Sequence, residues 1–161
     1  MMRIVKMGIA VVASVLMLTS CGSKKPAVQT ASYREQPTEC LGRGLDGTQT
    51  LKVWAKGMNR MEAVREAKKK AVSEVLFQGI AAGGECSAYP VVDAPNARTK
   101  HEQYFNKFFE DNGGYKKFVD EVEKRSEADH IQGATMQVYG VVLRVDRNEL
   151  QKRMRKDKII E

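Results

Sequence analysis

Residues 48–79 read TQTLKVWAKGMNRMEAVREAKKKAVSEVLFQG. In the first ten of these residues apolar and polar side chains alternate, which is typical of a half-buried strand. Small and apolar residues then recur every three or four positions, which is typical of a helix that packs on a sheet. We therefore expect a strand near residues 48–57 that leads directly into a long helix at residues 60–78.

The ends of this helix have recognisable signals. Asn59 is suited to the N-cap position, and Glu62 lies three residues later, where its carboxylate can accept a hydrogen bond from the backbone at the cap. Gly79 is suited to the left-handed conformation that commonly follows a helix. The apolar face of the helix is predicted to consist of Met61, Val64, Ala67, Ala71, Val72, Val75 and Leu76.

The rest of the chain predicts an α+β fold with a small sheet. A short apolar run near residues 88–92 predicts an edge strand, and an alternating pattern near residues 134–145 predicts a longer, central strand with a bulge or kink at Gly140. Aromatic residues at helical spacing predict a helical hairpin over residues 97–125. A basic amphipathic segment predicts a last helix at residues 149–158, capped by Asn148.

The predicted hairpin carries an unusually aromatic stripe. Tyr104, Phe105, Phe108 and Phe109 lie one turn or less apart and so share one face of a helix. The simplest interpretation is that these rings belong to the hydrophobic core. An exposed stripe would instead indicate a binding surface, because large exposed apolar patches usually mark interactions.

The chain begins with the features of an export signal. Arg3 and Lys6 precede an uncharged apolar run at residues 7–18. A membrane-spanning helix needs about 20 apolar residues, so this run is too short to span a bilayer and fits the core of a signal peptide.

The residues that end this run are Leu18-Thr19-Ser20-Cys21, a motif that resembles the lipobox of bacterial outer-membrane lipoproteins. The resemblance implies that Cys21 becomes the new N-terminus and carries palmitate or related acyl chains. Two or three chains anchor a protein stably, whereas one chain alone does so marginally. The alternative is an ordinary secretory signal in which the cysteine occurs by chance.

The lipobox divides the chain into three parts: a signal peptide at residues 1–20, a lipidated N-terminus and flexible tether at residues 21–39, and one α+β domain at residues 40–161. Gly22 follows the cysteine, where lipoproteins retained in the inner membrane of enteric bacteria carry Asp. The lipoprotein resemblance therefore implies the outer membrane. The basic segment after Gly22 favours its periplasmic side, although the cell surface stays open.

The chain has three cysteines. If Cys21 is lipidated, Cys40 and Cys86 form an even pair in an oxidising compartment, where disulfides persist. We therefore expect a disulfide between them. Two unpaired thiols are the alternative, and a metal site is disfavoured because no histidine or second cysteine lies at ligand spacing from either cysteine.

Several classes of function are disfavoured by what the sequence contains. There are two histidines, His101 and His130, and no G-x-S-x-G, H-E-x-x-H or C-x-x-C motif, so no enzyme class, metal or cofactor is indicated. Residues 42–47 match G-x-G-x-x-G, but no strand precedes them and no helix follows, as a dinucleotide site requires. The formal net charge falls from +7 to +5 when the leader is removed, which is a mild excess of basic residues. Because the sequence also contains no nucleic-acid-binding motif, nucleic acid is disfavoured as a partner.

One alternative to a purely structural role rests on aromatic residues in the predicted strands. Trp54 lies on the polar side of its strand, and we expect it to share a sheet face with Tyr139 and nearby basic residues. Such a face could bind a small ligand or an envelope polymer.

The domain also resembles a known group of proteins. The residues that carry the resemblance are Val53-Trp54-Ala55-Lys56-Gly57, followed by Ala63, Ala67 and Ala71 at four-residue spacing. They resemble small Bacteroidota envelope lipoproteins related to the N-terminal domain of flagellar assembly protein T. The resemblance implies an α+β domain that acts in the cell envelope by binding a protein partner or as a structural component, without catalysis. It specifies neither the partner nor the oligomeric state.

Overall fold

The structure of this protein is a computed structural model that describes residues 36–122, 130–132 and 136–161. The predicted signal peptide, Cys21 and most of the predicted tether lie outside the described residues. In the part of the chain that the structure describes, no helix is both long enough and apolar enough to cross a membrane.

The predicted strand–helix unit is the centre of the fold. Strand β2 spans Thr48–Gly57 and helix α1 spans Arg60–Phe77. The Asn59 side chain caps the helix by accepting a hydrogen bond from the Glu62 backbone N–H at 2.9 Å, and the Glu62 carboxylate accepts one from Met58 N at 2.9 Å. The local signals in the sequence therefore placed both helix ends to within one residue.

The α+β fold is confirmed: the described residues include a mixed sheet of six strands. Their order is β3-β1-β2-β6-β4, and β5 also pairs with β6; β1 and β3 are parallel, and the other pairs are antiparallel. The other strands are β1 (Glu39–Arg43), β3 (Ala82–Gly83), β4 (Val119–Glu121), β5 (His130–Ile131) and β6 (Gln137–Asp146).

Helix α1 covers one face of the central pair of strands. On β2 every second side chain is buried toward α1, and β6 contributes Val141, Leu143 and Val145 to the same layer. Small residues on α1 allow a close approach to the sheet: Ala63, Ala67 and Ala71 are fully buried. Met61, predicted to lie on the apolar face, is exposed instead, because it lies about 200° around the helix from the fully buried Ala63.

Cys40 and Cys86 form a disulfide, as predicted, with their Cα atoms 5.8 Å apart. Cys40 lies in β1 and is buried against the core. Cys86 follows the two-residue strand β3, which pairs with β1 at Cys40 and Gly83. The bond therefore fastens the edge of the sheet to the loop after α1.

Two predicted elements are wrong. Residues 88–92 form no strand; Val91 N and Val92 N donate to the carbonyls of Val75 and Leu76 at the end of α1, at 3.1 and 2.8 Å. The predicted hairpin at 97–125 is instead two short helices, a 3-10 helix and an edge strand, with residues 123–125 outside the description. These elements are α2 (Ala97–Lys100), α3 (Glu102–Phe108), the 3-10 helix at Gly114–Phe118 and β4.

The C-terminal elements are close to their predicted positions. Residues 134 and 135 of the predicted strand lie outside the description, and β6 pairs with β2 over ten residues without a register shift, so the bulge expected at Gly140 is absent from this pairing. Helix α4 spans Arg147–Lys156, and its cap is Asp146, whose side chain accepts from Glu149 N at 2.9 Å. Asn148, the predicted cap, instead donates to Asp46 O at 2.7 Å.

Candidate functional site

The aromatic stripe lies within the folded domain. Phe105 and Phe108 are buried, and Tyr104 and Phe109 are partly buried against the same core. Phe105 contacts Phe77 of α1 edge to face, with ring centroids 4.9 Å apart. Such edge-to-face pairs are favourable beyond the apolar area they bury. The rings thus attach the segment after α2 to α1, which is the simpler of the two interpretations of the stripe.

Trp54 and Tyr139, expected to share a sheet face, lie on opposite faces. Trp54 pairs with Gly140, whereas Tyr139 pairs with Ala55, which points toward the helices. Because successive side chains in a strand point to opposite faces, these two rings cannot line one pocket within the sheet. Both are half-buried.

Tyr139 has its own neighbours on the helix-covered face. The His130 ring stacks on it with centroids 4.5 Å apart, and both His130 Nε2 and the Tyr139 hydroxyl are within hydrogen-bond distance of Gln137 Oε1. His101, the other histidine, is half-buried between α2 and α3. Among the described residues, neither histidine is hydrogen-bonded to a serine, threonine or cysteine side chain that it could activate.

The best candidate site is a groove along α1 at the sheet edge. Strand β1 pairs with β2 only as far as Lys52, so the end of β2 extends beyond it. A cavity of about 580 Å³ lies between this end of β2, α1 and the aromatic segment. It is lined by Trp54, Ala55, Lys56, Glu66, Lys69, Lys70, Ser73, Arg98 and Phe109, which we call the basic groove.

Charge is the main property of the basic groove. Its lining includes four cationic side chains and one carboxylate, Glu66. Lys69 Nζ is 2.8 Å from Asp111 Oδ1, and this hydrogen bond raises the pKa of Lys69 and lowers that of Asp111. Lys70 Nζ donates to Gln36 O at 3.4 Å. Opposite charges thus hold Lys69 in place, while the groove as a whole stays positive and is suited to an anionic ligand.

Little in the sequence indicates this groove. Lys69 and Lys70 have the pattern of a solvated helix face, and Arg98 lies far from them in the chain. Two of the residues that line the groove, Trp54 and Phe109, are among the binding candidates that the sequence indicates. The groove exists because the segment carrying Arg98 and Phe109 packs beside α1, which a local pattern does not predict.

A second polar cluster joins α3 to the end of α4. The Tyr104 hydroxyl donates to Asp157 Oδ2 at 2.5 Å, and Arg153 Nε donates to the same oxygen. Burial, together with the hydrogen bond to Asp157, raises the pKa of Tyr104 to about 12. Burial alone would raise the pKa of Asp157, but the hydrogen bonds from Tyr104 and Arg153 outweigh it and lower that pKa below its ordinary value of 3.8.

We expect Tyr104→Phe to lower the free energy of unfolding by about 1 kcal/mol at pH 7, because Asp157 loses a hydrogen bond. A carboxylate whose pKa is depressed by folding stabilises above its unfolded pKa and ceases to do so as the pH falls. The difference between the variant and the parent should therefore shrink below about pH 4. Urea unfolding at several pH values measures this difference in the free energy of unfolding. Tyr89→Phe is the control, since Tyr89 is exposed; equal losses in both variants would contradict the prediction.

In the described residues, no group of three or more His, Cys, Asp or Glu side chains is placed to hold a metal ion. The chain matches no family model, no curated protein and no solved structure.

Proposed function

We propose that this chain is a non-catalytic lipoprotein, anchored through Cys21 in the periplasmic leaflet of a bacterial outer membrane, whose domain binds an envelope protein partner. The relationship to small Bacteroidota envelope lipoproteins is part of the same proposal. No nucleic acid is involved. The domain contributes a binding surface and the anchor keeps it at the membrane.

The main support for this proposal is that two of the three cysteines pair with each other and leave the third for lipidation. Cys40 and Cys86 are joined in the folded domain, so Cys21 is the chain's remaining cysteine, and it directly follows an export leader. A disulfide of this kind persists in an oxidising compartment and is rare in the cytosol. The leader, the lipobox and the disulfide thus agree on export, although they lie in different parts of the chain.

Labelling of cells with palmitate tests the anchor. We expect label on the parent protein and none on Cys21→Ala, which should move from the membrane fraction to the soluble periplasmic fraction. Cys86→Ala is the matched control and should keep both the label and the membrane location. Label that persists in Cys21→Ala, or a parent protein that is never labelled, would refute the proposal.

A second candidate function is supported by the basic groove. Its size, its two aromatic residues and its excess of cations are suited to an anionic small ligand or an acidic envelope polymer. Crosslinking in intact cells separates the two candidates. A crosslink to a protein that still forms when acidic polysaccharide is added as a competitor favours the protein partner. Crosslinks that form only to polysaccharide favour the groove as a polymer site.

A further inference from the structure

The hairpin between β1 and β2 presents an apolar tip. Leu45 is fully exposed at this tip, and Leu41, in β1, is about half exposed (53%). Both leucines line a shallow depression of about 600 Å³ at the end of the sheet. Isolated exposed leucines are common on protein surfaces. The residues around Leu41 and Leu45 therefore decide whether these two indicate a binding surface.

The turn that carries Leu45 is held in one conformation. Gly44 N donates to Thr48 O at 2.8 Å, and Gly47 N donates to Gly44 O at 3.0 Å. Asn148 of α4 donates to the Asp46 carbonyl at 2.7 Å, which fixes the turn to the rest of the domain. Leu45 makes no contribution to this network through its side chain, so folding does not require an apolar residue there.

Two arginines flank the leucines. Arg43 and Arg144 line the same depression, and both are exposed. Among the described residues that line the depression, the one carboxylate is Asp46, whose Oδ1 accepts hydrogen bonds from Thr48 N at 3.0 Å and Thr48 Oγ1 at 2.7 Å. The depression therefore combines apolar side chains that point outward with two arginines and one carboxylate. Apolar side chains beside cations are the combination that peripheral proteins use at the boundary between lipid headgroups and acyl chains.

We propose that this tip, comprising Leu41, Arg43, Leu45 and Arg144, is a membrane-contact surface that inserts Leu45 among the headgroups of an anionic lipid layer. This inference rests on the proposed function, since a lipid anchor would hold the domain beside such a layer. About fifteen residues separate Cys21 from Gln36, and a chain of this length reaches at most about 50 Å. The tip can therefore reach the leaflet that holds the anchor.

Vesicle binding by the unlipidated protein tests the contact separately from the anchor. The mature chain with Cys21→Ser retains every described residue and is used after export, with its disulfide formed. Co-sedimentation is measured with vesicles of equal parts phosphatidylglycerol and phosphatidylcholine, and with phosphatidylcholine alone. We expect binding to the anionic vesicles and much weaker binding to the neutral ones.

Two variants of this protein separate the apolar and the charged contributions. Leu45→Ser should weaken binding about tenfold, since loss of part of a leucine's burial is worth about one factor of ten. Arg43→Gln with Arg144→Gln should weaken it about 25-fold, because each cation near an anionic surface contributes about fivefold. The matched controls are Met61→Ser, which also removes an exposed apolar side chain, and Lys68→Gln with Lys116→Gln, which also removes two cations.

Both control proteins should bind within about twofold of the parent, since neither change alters the tip's apolar burial or its cations. Binding that is absent from the parent, or weakened equally by tip and control variants, would overturn the proposal. So would a concentration-dependent dimer that Leu45→Ser abolishes, since the tip would then bind a second copy of the chain. Palmitate labelling of Cys21 is independent of every result here, so failure of the tip and failure of the anchor are distinguishable.

Discussion

Replacing both Cys40 and Cys86 with alanine is expected to lower the free energy of unfolding by about 4 kcal/mol. The bond closes a loop of 46 residues that contains β2 and α1, so it restricts a large part of the unfolded chain. It also fastens β3, which pairs with β1 over only two residues. Without the bond, the link between β3 and β1 would rest on this two-residue pairing.

Guanidinium unfolding of the Cys21→Ser protein, with and without reductant, measures this effect. Reductant should lower the midpoint of the protein that keeps Cys40 and Cys86 and leave the double variant unchanged. A double variant that unfolds at the midpoint of the oxidised parent would show that the bond adds no stability. Such a result would also weaken the argument for export, because the disulfide would then have no structural consequence.

The sequence predicted best the elements whose signals are local. Asn59, Glu62 and Gly79 occupy the positions expected of them at the ends of α1, because capping depends on groups within a few residues. The alternation in β2 corresponds directly to its buried and exposed faces. Both signals can be recognised from neighbouring residues alone, without knowledge of the distant parts of the chain.

Elements that depend on a distant partner were missed. Strand β1 contains Gly42 and a register shift between Cys40 and Gly42, so it has no clear alternating pattern, and it is a strand because it pairs with β2. The segment at 88–92 has an apolar composition, but its backbone pairs with the end of α1. In both cases tertiary contacts override the local pattern.

The candidate surfaces depended on tertiary contacts in the same way. The aromatic stripe is visible in the sequence, yet its helical spacing continues only to Phe108, where α3 ends. The helical hairpin predicted over residues 97–125 therefore does not form. The basic groove needs Arg98 beside α1, and the hairpin tip needs Arg144 beside Arg43. Residues brought together from separate elements have no common period that a sequence pattern could reveal.

Gly79→Ala is expected to destabilise the domain by about 3 kcal/mol, because two penalties coincide. Gly79 has φ +76°, a left-handed conformation that costs an alanine about 1–2 kcal/mol. A Cβ atom there would also lie 2.0 Å from the Ala88 carbonyl oxygen, so the backbone after the disulfide loop must move. That movement would disturb Val91 and Val92, which are buried against α1.

Gly84→Ala is the matched control for this substitution. Gly84 lies in the same loop, but no atom is within 4 Å of the position of its Cβ, so the change should alter stability by less than about 0.5 kcal/mol. Urea unfolding of the two oxidised variants gives the comparison. If Gly79→Ala proved as stable as Gly84→Ala, the loop after α1 would have to adopt another path, and the contacts of Val91 and Val92 with the end of the helix would not exist as described.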